Sequence, residues 1–324
     1  MSRTKQSGVR QIATITTAGV ALVALAALLV VNVTQSNPKH IATAEFLNSQ
    51  FVDGQYLEGF TPGAPEYGFS LEALSQLSFA REIDSSEAVE FLLQSSPSFL
   101  YSPDTGQLIP GLAGKYLFAS KVTGATNKSN VDLVLKDLVQ IIGKNGDESE
   151  LGFSIFDFSW LALGLYAQDQ KEIASNVSLA LADLAREDGG FGFDSSEFTT
   201  ASSTDATSMA ILALELTKNI NSEHTPQKQK AIDAAASYLS SNLVEGNHFV
   251  AYDAVDVNGS ALAFMALKSV GSESNFAIQS WLLEQLRNDA GIGSPWVEDV
   301  GDRFATAQGY LAIEGKTYLD LVGR

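Results

Sequence analysis

Several segments of this chain have helical spacing yet are apolar or small on nearly every face, and this pattern limits the fold more than any other feature. Residues 209–214 read Met, Ala, Ile, Leu, Ala, Leu, and residues 261–265 read Ala, Leu, Ala, Phe, Met. Such a helix has no side to turn to water, so neighbours must cover it almost all round. Each segment of this kind follows one of the opposite character. Around 173–186, Val177, Leu181 and Leu184 make a single stripe while Glu172, Asn176 and Asp183 turn outward.

The pair recurs six times, at about 41–80, 88–122, 131–168, 173–216, 231–270 and 276–314. The starts of the second helices are spaced at intervals of about 43 to 53 residues, the range of helical repeats. Amphipathic helices outside and apolar helices inside satisfy both patterns at once. The expected fold is therefore all-α, an α/α toroid of six hairpins with an inner and an outer ring. An open solenoid would need polar end caps, and neither 41–51 nor 304–314 offers one. The sharpest copy is 187–216. There Gly189 and Gly190 end one helix, Phe191 and Phe193 plug the gap, and Ser202, Ser203, Thr204 and Asp205 supply N-cap candidates for the next.

With 324 residues, 45% of them hydrophobic, the chain can bury a large core. It has no cysteine, which excludes disulfides, thiolate metal sites and a cysteine nucleophile. Its net charge of −18 repels nucleic acid and anionic headgroups and favours cations. The positive charge is concentrated at the start: Arg3, Lys5 and Arg10 precede an uncharged stretch that runs to Lys39. Residues 12–33 are mostly apolar, roughly 33 Å of helix, enough to cross a bilayer. The expected layout is a cytoplasmic basic tail (1–11), a transmembrane signal-anchor (12–33), a linker (34–40) and an extracellular toroid (41–324). Secretion after cleavage of a signal peptide is the alternative.

The DGGFGF at 188–193, followed by STDATSMAILAL at 203–214, resembles the repeat of the terpenoid cyclase and protein prenyltransferase superfamily. It is especially similar to its exported bacterial branch with prenyltransferase or squalene-oxidase repeats, related in fold to cobalamin carriers. The resemblance spans roughly 41–324 and implies an α/α toroid. Squalene-hopene-type cyclases carry an Asp-x-Asp-Asp-Thr-Ala motif. Laying its last aspartate on Asp205 puts Ser202 and Thr204 where the other two acids belong. The prenyltransferases bind zinc through Asp, Cys and His, whereas here Cys is absent and His40, His224 and His248 lack ligand spacing.

The inner-helix starts face one mouth, which brings Glu66, Tyr67, Asp157, Trp160, Thr204 and Asp205 to that end, together with Asp256, Asn258, Asp302 and Arg303. Carboxylates among aromatics can bind a sugar or a cation, or the same acids can cap helices while Trp160 fills the core. Glycoside hydrolysis needs two carboxyls across the scissile bond; Asp157 with Asp205, or Asp205 with Asp256, are the candidate pairs. Asp188, Asp194 and Glu197 are candidate calcium ligands, beside a plain solvated turn, and no other cofactor is expected. These features lead to an expected non-catalytic, membrane-tethered extracellular domain that binds a glycan, isoprenoid, corrinoid or surface protein. The alternative is a carbohydrate-active hydrolase or lyase, or a divergent terpenoid cyclase, using a central cavity.

Overall fold

The computed structural model describes residues 38–143, 154–193 and 201–323. The chain divides into two units, Met1–Ile41 and Ala42–Arg324. Of the first, only 38–41 are described, the opening turn of helix α1 (Pro38–Ser49).

In the second unit the expected helix pairs are present. The inner helices are α2 (Tyr67–Leu77), α4 (Pro110–Val122), α6 (Ile155–Ala167), α8 (Thr204–Thr217), α10 (Val257–Ser269) and α12 (Arg303–Ile313). Each is preceded by an outer element: α1 from Ala42 onward, α3 (Ser86–Val89), α5 (Lys128–Ile142), α7 (Lys171–Ala182), α9 (Thr225–Ser241) and α11 (Asn275–Glu284). Helix α3 runs on as a π-helical turn over Glu90–Gln94. In the outer α5, only Val131, Val134, Leu138 and Ile142 are buried, one stripe at helical spacing. In the inner α8, every residue from Ala206 to Leu214 is buried.

Small residues set how closely the inner helices approach. A Cβ on Gly114 would fall 2.5 Å from the Trp160 carbonyl, and one on Gly164 would run into the Gly114 carbonyl. Helices α4 and α6 thus meet backbone to backbone. The ring closes where α2 meets α12: Phe69 packs on Phe304 with ring centroids 4.8 Å apart, and the Leu311 amide donates to Gln76 Oε1 at 2.8 Å. A last helix, α13 (Tyr318–Val322), has no counterpart in the repeat pattern. It delivers the fully buried Tyr318 against Phe118 of α4 and Trp160 of α6, at 5.8 and 5.2 Å.

Among the described residues, two short antiparallel hairpins interrupt the helices: β1 (Phe51–Val52) with β2 (Tyr56–Leu57), and β3 (Phe249–Ala251) with β4 (Ala254–Asp256). The second turns through Tyr252 and Asp253 at φ of 51° and 61°. A two-residue turn that matches strand twist needs positive φ at both places, and side-chain-bearing residues adopt it at a cost in strain.

One expectation is corrected here. Among the described residues no helix is long and apolar enough to cross a membrane. The single-pass tether, the membrane as partner and the cell-surface placement lose their support; the stretch 12–33 on which they rested lies outside the described residues, as do Asp194 and Glu197.

Candidate functional site

At the N-terminal ends of α8 and α10 lies a cavity of about 960 Å³. Its walls come from the loop ahead of α8, from Tyr238 and Asn242 at the end of α9, from hairpin β3–β4, and from Trp296 in the loop before α12. Among the described residues, two acids line it, Asp205 and Asp256.

Local structure explains why Asp205 faces inward. The N-cap of α8 is Ser203, whose hydroxyl accepts the Ala206 amide at 3.1 Å, so Asp205 is free of capping duty. Its Oδ1 is buried without a hydrogen-bond partner. Asp256 ends β4 and caps α10, with Oδ1 accepting the Gly259 amide at 2.8 Å. A Cβ on Gly259 would lie 2.5 Å from Asp205 Oδ1 and nearer still to Asp256 Oδ2. These two oxygens are therefore less than about 5 Å apart, close enough that ionising both is costly. Burial, then the Asp256 charge, then that of Glu72 push the Asp205 carboxyl up to about 7. Asp256 is also raised by burial, against which the Gly259 amide works. Held this close, the two carboxyls titrate as a pair that keeps a proton toward neutral pH.

Of the acids considered from sequence that lie among the described residues, only Asp205 and Asp256 come together in this way. Asp157 is occupied: it forms a capping box with Ser154 and accepts the Gly111 amide at 2.9 Å. Glu66 caps α2 through the Gly68 amide, and Tyr67 stacks on Phe99 at 4.4 Å. Trp160 is core, set edge-on to Phe118 and Tyr318. Asn258 donates to Gln308 Oε1 at 2.7 Å. Asp302 caps α12 and accepts the Ser294 hydroxyl. Arg303 donates to the Gly59 carbonyl at 3.0 Å and lies over Phe304. Asp188 Oδ1 takes the Gly190 amide and the Ser202 hydroxyl, closing its own turn. Among the described residues, no group of three or more acids and histidines is placed to hold a metal.

The sequence reading did not single out Glu72. It is buried on α2 and bonded to Lys115 Nζ at 2.8 Å, the Tyr318 hydroxyl at 3.0 Å and Gln308 Nε2 at 3.2 Å. Lys115 also lies over Trp160, 5.2 Å from the ring centroid. The signal was present: Glu72 is the one charge in α2 and Lys115 the one charge in α4 ahead of its last turn, and burial requires such groups to be paired. The rim aromatics Tyr252 and Trp296, 84% and 72% exposed, were missed as well.

No protein-family model and no curated protein matches the chain. Solved structures do match. The apo type II terpene cyclase MstE from Scytonema superposes with a TM-score of 0.60 at 13% identity, over 88% of this chain and 97% of that one. A wild-type glycosidase gives 0.54 at 13% identity, over 88% and 97%. The unsaturated glucuronyl hydrolase of Bacillus sp. GL1 gives 0.53 at 13% identity, over 88% and 94%. At such identity the likeness is one of fold. The expected non-catalytic, membrane-tethered binding domain is corrected by these findings, since proteins of this architecture are here a cyclase and hydrolases and no membrane-spanning helix is found among the described residues. The chain has the α/α-toroid fold that terpene cyclases and glycoside hydrolases share.

Proposed function

We propose that residues 41–324 form a carbohydrate-active hydrolase whose catalytic residues are Asp205 and Asp256. The observation that carries this reading is the buried, unpartnered Asp205 oxygen held less than about 5 Å from Asp256 in a cavity, short of the about 6.5–9.5 Å of inverting pairs and nearer the about 5–5.5 Å of retaining ones. Protonated Asp205 gives its proton to the glycosidic oxygen as the bond to the anomeric carbon breaks, the electron pair staying on the leaving oxygen. Asp256 attacks that carbon and forms an ester. Water then displaces Asp256 and returns a proton to Asp205. Tyr252 and Trp296 offer ring faces on which a pyranose can stack.

A terpenoid cyclase fits this site less well. Protonating an alkene calls for a strong acid, and a carboxyl held at about 7 is a weak one. Within the superfamily, the DGGFGF turn supports kinship with the prenyltransferase and squalene-oxidase repeat proteins in descent rather than in chemistry.

The test is release of aglycone from a panel of aryl glycosides by the full-length protein, with the product anomer followed by NMR. Retention is expected, and Asp205→Asn should lower kcat by about 10²- to 10⁴-fold. Absence of turnover across neutral, amino and acidic glycosides would overturn the proposal.

A further inference from the structure

The charge lining the cleft narrows the substrate. The described residues that line it carry two carboxylates and no lysine, arginine or histidine. The cations behind the wall face acids: Lys115 is paired with Glu72, and Arg186, which acts on Tyr238 of the wall, is opposed there by Asp188. Most of the remaining wall is apolar or hydroxylic: Phe249, Val250 and Val255 on the hairpin, Ser202 and Ser203 ahead of α8. The surrounding chain, at −18, adds a field of the same sign as the two acids.

We infer that the sugar taken by this cleft bears no carboxylate and is a neutral or amino-substituted hexose, not a uronic acid. The inference rests on the hydrolase reading above and gives that site a substrate class. A uronate in the cleft would place its anion beside Asp256 with no cation among the described lining residues to receive it, a juxtaposition that costs about 100-fold in affinity. An ammonium group meets the opposite field and gains from it. Neutral hexoses bind through stacking and hydroxyl contacts alone.

Two measurements separate this inference from its premise. In the first, the full-length Asp205→Asn variant, which retains Asp256, is titrated calorimetrically with matched disaccharides ending in glucose, glucosamine or glucuronic acid. Glucosamine is expected to bind tightest and to weaken as salt rises, and glucuronic acid to bind at least about 10-fold more weakly than glucose. Glucuronic acid binding as tightly as glucose overturns the inference whether or not the protein is a hydrolase. In the second, Val250→Lys places a cation on the exposed hairpin wall, 44% accessible in the native chain. The variant is expected to gain at least about 10-fold in affinity for the glucuronide, an increase abolished by high salt. No gain, with an unchanged melting temperature, overturns the inference. Failure of the wild type to cleave any glycoside overturns the hydrolase reading instead, and the titration still decides the question of charge.

Discussion

Replacing Asp205 with Asn tests the reasoning about this site through stability alone, without a substrate. The carboxyl is raised from 3.8 in the unfolded chain to about 7 in the fold, so the native state holds the proton more tightly. Where the folded state binds more protons than the unfolded one, stability falls as pH rises. The penalty is absent below about pH 4, grows through the interval between the two values and is complete above about pH 7. Integrated over that interval, it reaches as much as about 4 kcal/mol. Asparagine cannot ionise, and because Ser203 is the cap of α8, the substitution sacrifices no capping bond. The buried amide recovers only part of the difference, so the variant should exceed the wild type by about 1–3 kcal/mol at pH 8 and match it near pH 4. Urea unfolding of both proteins from pH 4 to pH 9 measures this. A stability difference that does not change with pH, or a variant weaker by more than about 1 kcal/mol at pH 8, as loss of a cap would give, refutes the reasoning.

Gly259→Ala should remove activity while leaving the fold intact, since the new methyl group displaces both carboxylates; its gain in helix propensity of about 1 kcal/mol should offset much of the disturbance in a denaturant melt. Tyr318→Ala should cost about 3–5 kcal/mol by emptying the space between α4 and α6. Tyr318→Phe, which leaves Glu72 bonded to Lys115 and Gln308, should cost only about 1–2 kcal/mol in the same melt.

The rings were legible because the two helix types differ on every turn: nothing but close cover suits 209–214, and nothing but a half-wet position suits the stripe of α7. Hairpin β3–β4 was not. Its turn uses Tyr252 and Asp253 where glycine or asparagine would mark positive φ, so HFVAYDAVD reads as loop. Helix α13 was missed because five residues are too few for periodicity to show. For the site, residue types were visible but separations were not. Asp205 and Asp157 each stand near the start of an inner helix, and only coordinates reveal that one is bonded at both oxygens while the other has an oxygen without a partner.

The junction of α2 with α12 bears on how the chain is made. Gln76 is translated 235 residues ahead of Leu311, whose amide donates to its side chain. Throughout elongation the earliest inner helix keeps one greasy flank bare, and contacts of such long sequence range form late. Growing polypeptides of this kind suit chaperone cover at the ribosome, and pulse-labelled protease digestion should find that flank protected only after the closing helix has emerged.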